Sequence, residues 1–298
     1  MSGKLRTNIF SGLEEIVKKD YSLGENTWFG LGGRAEYFIC PRTVDQLADV
    51  VKRCGENNVP IRILGFGSNL LIRDQGVKGA VVKLDSEEFS KIECNGLVLN
   101  AGAGADLGKL VLDCVRKGMG GMEVLAGIPG SIGGAVKMNA GGIFGDLGSS
   151  VESVTLMDNQ GNVFEKSKPE LSFDYRQTNI TAKFILAAQI KLYEADPQQL
   201  LNMVKEIWIY KKNTQPLNTR SAGCVFKNPR GMSAGAMIDR TGLKGTRVGG
   251  AVVSEKHANF IVAEKDCKSG DVISLIETVR KKVKEKFDVE LELEIEIW

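Results

Sequence analysis

The chain has 298 residues, more than one ordinary domain core holds and enough for two or three compact units. Its 43% hydrophobic and 26% charged residues are typical of a soluble globular protein, and a formal net charge of +2 excludes the strongly basic field that would indicate nucleic-acid binding. Six cysteines without a C-x-x-C pair and a single histidine disfavour a metal cage, so we predict no metal site. Residues 1–22 are rich in charge and contain no apolar core of signal-peptide length, which predicts a cytoplasmic protein without membrane insertion.

The first third of the chain is predicted to form a β-α-β unit. Tyr37–Cys40 is an apolar strand candidate, and apolar residues at helical spacing from Val44 to Cys54 predict a helix. Ile61–Leu64 predicts the second strand, and two further short strands are expected at residues 70–72 and 80–82.

A glycine loop, Gly65-Phe66-Gly67-Ser68-Asn69, follows the second strand directly. No Gly-Lys-Ser/Thr follows it, which disfavours a Walker-type nucleotide site. The dinucleotide fingerprint GxGxxG is also absent, because Leu70 stands at the third glycine position and a strand follows where a helix is needed. The loop remains a candidate for binding a cofactor through its backbone and its two polar side chains.

The middle third predicts a second α+β unit. Residues 97–101 read as a strand, and Asp106 is placed to cap a helix that Gly118 ends. Residues 151–165 predict a hairpin with its turn at 159–161, and residues 184–192 predict another strand.

Between that helix and the hairpin lies the most glycine-rich stretch, Leu125–Gly142, which reads LAGIPGSIGGAVKMNAGG. Glycine at this density is used where the backbone takes positive φ or approaches another group closely. Successive main-chain N–H groups in such a turn form a concavity that suits a phosphate. We therefore predict that a phosphate-bearing cofactor binds here.

The last hundred residues differ in character. Asp196-Pro197 predicts the start of a helix, a short helix is expected at residues 233–240, and residues 272–287 show clear amphipathic spacing. Residues 289–298 alternate strictly between apolar residues and glutamates, which predicts a half-buried strand with one acidic face. We place the domains at residues 1–86, 87–194 and 195–298.

Several motifs, in order along nearly the whole chain, carry a family resemblance. They are NTWFGLGG, GFGSNLLIRD, GIPGSIGGAVKMNAGG, FDYRQT, AGCVFKNP and GLKGTRVGGAVVSEKHANFIV, followed by the acidic last strand. The sequence resembles the UDP-N-acetylenolpyruvoylglucosamine reductase (UDP-N-acetylmuramate dehydrogenase) family, in the subclass that lacks an inserted tyrosine loop. The resemblance implies an α+β fold: a two-subdomain FAD-binding half of the vanillyl-alcohol oxidase (PCMH) type and a C-terminal α+β substrate-binding domain.

The resemblance also implies the reaction. NADPH would reduce a non-covalently bound FAD, and the enolpyruvyl ether of UDP-N-acetylglucosamine would then take the hydride at its β-carbon and a proton at its α-carbon. This reaction makes the muramic acid unit of bacterial peptidoglycan. The expected partners are NADPH and this nucleotide sugar, with no nucleic acid, and a monomer is favoured over an obligate oligomer.

The family's functional residues transfer to matching positions of this sequence. Arg176 is expected near the substrate carboxylate and the developing enolate, Cys224 at the position of the proton donor, and Glu294 at the glutamate of the last strand. Tyr175, Lys227 and Asn228 are expected to face the substrate. The positions expected to bind FAD are Gly65, Gly67, Ser68, Asn69, Gly127, Pro129, Gly130, Ser131, Gly133, Gly134 and Asn139.

Each catalytic assignment has a structural alternative. Without the resemblance, Cys224 would be interpreted as a small buried side chain after a glycine turn. Glu294 shares its face with three other glutamates, so a shift of two residues, to Glu292 or Glu296, is the alternative register. Val252 and Ala263 stand where family members often have Gln and Asn, which leaves secondary substrate contacts open.

Two other functions compete with the reductase. An FAD-dependent oxidase of a small alcohol or sugar would share the cofactor half, but such enzymes often tether the flavin through histidine or cysteine, and the single histidine, His257, lies outside that half. A non-catalytic flavin-binding module would not need Cys224, Arg176 and Glu294 together. The chemistry of these three side chains therefore favours the reductase.

Overall fold

The computed structural model describes residues 9–298 in two compact units. Residues 1–8, part of the segment without signal-peptide character, lie outside the described residues. Of the described residues, the first unit comprises 9–21, Ala35–Gly65 and Lys78–Leu200, and the second comprises Ser22–Arg34, Phe66–Val77 and Leu201–Trp298. The predicted domains follow the chain continuously, whereas the structure groups residues 22–34 and 66–77 with the C-terminal residues; the division at residue 86 stays a prediction.

The regular elements agree in type with most of the sequence-based assignments. The α-helices are α1 (Val44–Glu56), α2 (Glu87–Ser90), α3 (Leu107–Arg116), α4 (Ile132–Lys137), α5 (Pro197–Thr214), α6 (Ala234–Arg240) and α7 (Ser269–Phe287). The first ten strands are β1 (Val17–Ser22), β2 (Arg34–Ile39), β3 (Ile61–Leu64), β4 (Leu70–Leu71), β5 (Val77–Lys83), β6 (Ile92–Asn95), β7 (Val98–Gly102), β8 (Met119–Gly120), β9 (Gly141–Gly142) and β10 (Gly145–Asp146). The others are β11 (Val151–Met157), β12 (Val163–Ser167), β13 (Phe173–Asp174), β14 (Gln177–Thr178), β15 (Phe184–Lys191), β16 (Tyr193–Glu194), β17 (Arg247–Val248), β18 (Ala251–Val253), β19 (Ile261–Ala263) and β20 (Glu296–Ile297).

Unit 1 contains two main sheets. The first has strand order β1-β2-β5-β3, with β3 parallel to β5, and α1 lies between β2 and β3 along the chain. The second has order β12-β11-β15-β7-β6 and is antiparallel throughout. Helix α1 begins because the Thr43 hydroxyl accepts a hydrogen bond from Gln46 N at 3.2 Å, and it buries the apolar face predicted from its spacing. The predicted hairpin at 151–165 is also present.

Unit 2 is a small three-stranded sheet, β17-β18-β19, with α6 and α7 contributing to one core. Helix α7 directs Val272, Leu275, Ile276, Val279 and Val283 into that core, the face that its spacing predicts. Phe29, Leu31 and Leu71, from the two early segments, are buried in the same core. The core of unit 2 therefore needs three separate parts of the chain.

The C-terminal segment departs from the predicted regular strand. Only Glu296–Ile297 forms a strand, parallel to β4, with Glu296 opposite Leu70. Just before it, Leu293 forms an isolated antiparallel bridge with Phe226 on the other side of the segment. The segment changes partner between residues 293 and 296, which interrupts regular pairing although alternation of burial is kept at Leu291 and Ile295.

Among residues 9–298, no helix has the length and apolar composition that crossing a bilayer requires.

Candidate active site

The glycine stretch 125–142 folds as a turn followed by the short helix α4. Gly127 and Gly130 have φ of 68° and 153°, which residues with side chains rarely adopt. Ser131 caps α4, and its Oγ accepts a hydrogen bond from Gly134 N at 3.3 Å. Residues 127–130 are half-buried, between the buried residues Ala126 and Ser131. The turn is therefore partly accessible, and its backbone shape is one in which main-chain N–H groups can form a phosphate-binding concavity.

The two predicted cofactor loops meet inside unit 1. A Cβ added at Gly65 would lie 2.8 Å from Ser131 Oγ, so a larger residue there would push the loops apart. A Cβ added at Gly133 would lie 2.8 Å from the Cβ of Ala103, whose carbonyl accepts the Gly133 N–H at 2.8 Å. Gly133 is thus needed for packing. Gly65 and the positive-φ residues Gly127 and Gly130 are the small residues that close approach of the phosphate-bearing FAD requires.

A buried acidic side chain, Glu123, lies just before the glycine stretch 125–142. Glu123 is 3% exposed, and its two carboxylate oxygens accept hydrogen bonds from Tyr193 Oη at 2.7 Å and Gly121 N at 2.6 Å. The bond to Glu123 raises the pKa of Tyr193 to about 12, so the phenol keeps the proton it donates. Sequence reasoning missed Glu123; its signal was a lone acid in the otherwise uncharged run 118–136.

Arg176 lies in a tight turn of unit 1. Phe173 pairs with Thr178 and Asp174 with Gln177, so Tyr175 and Arg176 form the two-residue tip of the β13–β14 hairpin. Arg176 has φ of 55°, a left-handed conformation that costs a non-glycine residue free energy. Its guanidinium carbon is 5.1 Å from the centroid of the Tyr175 ring, within cation–π range. The turn holds the predicted enolate-stabilising cation in a defined place.

In unit 2, the rest of the first loop contacts the C-terminal segment. Gly67 has φ of 65°, and a Cβ there would meet the Asn26 carbonyl. The side-chain Nδ2 of Asn69 donates to the Glu294 carbonyl at 2.9 Å, and the Asn69 carbonyl accepts from Glu296 N at 3.0 Å. Asn69 therefore fixes the backbone on both sides of residue 295. Ser68 beside it is half-buried.

Cys224 follows Gly223, which has φ of 78°, and is half-buried. It forms an isolated antiparallel bridge with Phe260. The carboxamide of Asn259, 2% exposed, accepts from Phe226 N at 3.0 Å and donates to the Phe226 carbonyl at 2.7 Å, and the Asn259 carbonyl accepts from Val225 N at 2.8 Å. Sequence reasoning quoted HANFIV as a motif but gave Asn259 no role. The sequence signal for Asn259 was a polar residue inside an apolar run.

Glu294 lies beside the Cys224 segment. Its N–H donates to the Val225 carbonyl at 2.8 Å, so the predicted glutamate bonds to the residue that follows the predicted proton donor. Glu294 is half-buried, whereas the other three glutamates of the segment are exposed. Glu290 pairs with Arg280, Glu292 with Lys227, and Glu296 accepts from the Trp298 indole. Burial thus favours Glu294 over its neighbours in the face.

The two predicted substrate contacts beside Cys224 have protein partners in the structure. Lys227 Nζ lies 3.5 Å from Glu292 Oε2 in a partly exposed ion pair, and its N–H donates to the Glu292 carbonyl at 2.9 Å. Asn228 Oδ1 accepts from Ala234 N at 3.0 Å, at the start of α6. A role in substrate binding for either residue stays a prediction.

The structure brings together some predicted site residues within each unit. Unit 1 contains Gly65, the 127–139 loop and the Tyr175–Arg176 turn, and unit 2 contains Asn69, Cys224 and Glu294. In unit 2, the segments 69–73, 292–298 and 225–227 hydrogen-bond side by side in that order.

Comparison with known proteins identifies the family. The chain is 39% identical over 297 residues to the UDP-N-acetylenolpyruvoylglucosamine reductase of Clostridium botulinum strain 657, an alignment that covers 97% of this chain and 96% of that protein. The chain belongs to the UDP-N-acetylenolpyruvoylglucosamine reductase family. The reductase of Lachnoclostridium phytofermentans is 38% identical and covers 95% of this chain and 93% of its own length.

Solved structures and domain families support the same assignment. The crystal structure of the reductase from Thermus caldophilus matches with a TM-score of 0.82 and 37% identity, covering 95% of this chain and 98% of that one. Residues 35–167 match an FAD-binding domain family, and residues 215–298 match the C-terminal domain of UDP-N-acetylenolpyruvoylglucosamine reductase. These matches confirm the predicted fold class, an FAD-binding half followed by the C-terminal domain of this reductase family.

Proposed function

We propose that this chain reduces UDP-N-acetylglucosamine enolpyruvate to UDP-N-acetylmuramate in bacterial peptidoglycan synthesis, with FAD as its resident cofactor. The observation that carries the proposal is the 39% identity over 97% of the chain to a reductase of that name. The pairing of the Cys224 and Glu294 segments in unit 2 supports it at the level of the site. NADPH is the proposed hydride source, and a monomer is the proposed state.

Bound FAD supplies the hydride chemistry, which ends with a hydride on the β-carbon of the enolpyruvyl group. Negative charge then develops on the α-carbon and the carboxylate. Arg176 is the proposed partner of that carboxylate, because guanidinium stays charged and can bond both oxygens at once. A fixed cation stabilises this charge more effectively than water does, since it needs no reorganisation as the charge forms.

Cys224 is the proposed donor of the proton that completes the product at the α-carbon. A thiol with a reference pKa near 8.5 is mostly protonated at neutral pH and is a stronger acid than a serine hydroxyl. Glu294, on the adjacent segment, is the proposed second acid–base group of this half-reaction. Hydrogen bonds of their own or neighbouring main chain hold both residues, so the backbone that carries each side chain has a fixed position.

An FAD-dependent oxidase of a small alcohol or sugar has weaker support. It would share the FAD-binding half, whereas residues 215–298 match the C-terminal domain of the reductase. Cys224 and Glu294 both lie in that matched region.

The deciding experiment separates the two half-reactions. Purified protein should be yellow, release FAD on denaturation, and lose its flavin absorbance when NADPH is added without oxygen. Addition of the enolpyruvyl nucleotide should restore the absorbance stoichiometrically. A protein that cannot be loaded with FAD, or a reduced flavin that this nucleotide does not reoxidise, would contradict the proposal. NADH in place of NADPH tests the nucleotide preference, and light scattering tests the monomer.

A further inference from the structure

One asparagine of the glycine stretch bonds to protein in a way that cofactor binding does not explain. Asn139 was expected to contact FAD, but it is only 3% exposed and its main-chain N–H donates to the Val136 carbonyl at 3.1 Å. Its Oδ1 accepts from Gly148 N at 2.9 Å, and its Nδ2 donates to the Asp174 carbonyl at 3.0 Å. Both ends of the carboxamide are thus directed to main chain.

The second of these bonds reaches the hairpin that carries Arg176. Asp174 is the residue before the Tyr175–Arg176 tip, and its side-chain Oδ1 also accepts from Tyr175 N at 2.7 Å. The carboxamide therefore joins three places along the chain: the end of the glycine stretch, the loop at Gly148, and the base of the turn. All three lie in unit 1.

Two further contacts hold the β13–β14 hairpin and the residues just after it against Lys137 and Gly148. A Cβ at Gly148 would meet the Phe173 ring, so the ring packs directly on that glycine. Lys137 Nζ donates to the Ile180 carbonyl at 2.7 Å, just beyond the hairpin. These contacts leave the left-handed Arg176 little freedom to relax, and a strained turn persists only where its surroundings fix it.

We propose that Asn139 is a positioning residue, which holds the β13–β14 turn so that Arg176 is presented to the substrate carboxylate. This proposal rests on the proposed function for the identity of that carboxylate. It assigns Asn139 to the half-reaction that uses Arg176 and not to FAD binding. Asparagine suits the position because it tolerates its φ of 41° and offers a donor and an acceptor on one short side chain.

Two variants distinguish the need for a left-handed backbone at residue 139 from the need for the asparagine carboxamide. Asn139→Gly keeps the left-handed conformation and removes both side-chain bonds. Asn139→Asp has the same shape and keeps the acceptor for Gly148 N, but it places an oxygen against the Asp174 carbonyl. Asn58→Gly is the matched control, because Asn58 also has positive φ, 53°, and is exposed at the end of α1.

Hydrogen exchange of the full-length FAD-loaded protein, followed by mass spectrometry, gives the first measurement. We expect exchange in residues 171–180 to rise at least tenfold in Asn139→Gly and Asn139→Asp and to stay unchanged in Asn58→Gly. Stopped-flow absorbance gives the second. Both Asn139 variants should retain FAD content and NADPH reduction within about twofold, while flavin reoxidation by the enolpyruvyl nucleotide slows about 10- to 100-fold, the scale of a misplaced catalytic group.

Three results would overturn the proposal. One is unchanged exchange and unchanged reoxidation in both variants. Another is FAD loss with equal slowing of both half-reactions, which would make Asn139 a cofactor residue. The third is faster exchange with unchanged reoxidation, which would leave Asn139 a purely structural role. If wild-type flavin is not reoxidised by the nucleotide, the proposed function fails and the reoxidation role of Asn139 fails with it, while the exchange measurement still decides whether Asn139 holds the turn.

Discussion

At the residue scale, Cys224 is the side chain whose proposed role is most directly testable. Cys224→Ala should leave NADPH reduction of the flavin unchanged and slow reoxidation by the enolpyruvyl nucleotide about 10²- to 10⁴-fold, because only the second half-reaction needs its proton. Cys224→Ser should recover part of the rate. Single-turnover absorbance measures both steps.

The control for this substitution is Cys94→Ala, since Cys94 is an exposed cysteine of unit 1 outside every predicted site. It should behave as wild type. Equal slowing of the two half-reactions by Cys224→Ala would instead mean that the residue supports the fold or the flavin.

His257, the single histidine, contributes to stability in a pH-dependent way. Burial lowers its pKa from 6.5, with a smaller contribution in the same direction from the charge of Lys244, and its Nδ1 accepts the Asn259 N–H at 3.2 Å. As pH falls below 6.5, the unfolded chain takes up the proton before the folded chain does, so the stability present above that pH is progressively lost.

We therefore expect the free energy of unfolding in urea to fall between pH 7.5 and 5 in wild type, and to fall less steeply in His257→Gln. Gln keeps an acceptor but does not titrate. Parallel slopes for the two proteins would show that other groups carry the pH dependence.

At the element scale, the C-terminal segment tests the register of the catalytic glutamate. Glu294→Gln should slow flavin reoxidation by at least about 100-fold, because Glu294 is the half-buried glutamate of the segment that pairs with residues 225–227, next to Cys224. Glu292→Gln and Glu296→Gln are matched controls, exposed on the same segment, and should stay within about threefold of wild type. Single-turnover reoxidation rates decide between the three. A large effect at either control position would mean a two-residue error in the assignment.

Elements with a strong periodic pattern could be predicted from the sequence, and elements defined by distant partners could not. Helix α7 follows from apolar spacing, because burial of one helix face requires that spacing, and strand β15 follows from a nearly continuous apolar run, because both of its faces are buried. The terminal segment has an equally clear alternation, yet only Glu296–Ile297 is regular strand, because the segment pairs first with Phe226 and then with β4. Alternation predicts which side chains are buried and does not predict the pairing partner.

The same limit applies to the candidate site. The family resemblance supplied Arg176, Cys224 and Glu294 by position. It gave Asn259 no role and assigned Asn139 to FAD, whereas the side chains of both residues bond to main chain far away in sequence. It also assigned Gly133 to the cofactor, whereas contact with Ala103 already accounts for a glycine there.

At the scale of the whole molecule, unit 2 is built from three separate parts of the chain, which no local sequence pattern indicates. Phe29 and Leu71 are 0% exposed in the same core as α7, and Leu31 is 7% exposed. Leu71 also accepts the Trp298 N–H at 2.9 Å, and the Trp298 carbonyl accepts the Arg73 N–H at 2.9 Å. Domains predicted from the sequence are continuous ranges, because their boundaries are placed where composition changes along the chain. The core of unit 2 instead combines residues that lie more than a hundred positions apart.

A fragment of residues 201–298 should therefore fail to fold on its own, although it contains the matched C-terminal domain. It lacks the three core side chains named above, and burial of each large apolar side chain contributes about 1.5–3 kcal/mol. It also lacks the backbone partners of its last strand. We expect weak near-ultraviolet circular dichroism and no cooperative thermal transition.

In the full-length chain, Leu71→Ala should lower the free energy of unfolding by about 2–5 kcal/mol. Leu97 is exposed, so Leu97→Ala should change the free energy of unfolding by less than about 0.5 kcal/mol. A cooperative transition in the fragment, or equal effects of the two leucine substitutions, would contradict a core shared by all three parts.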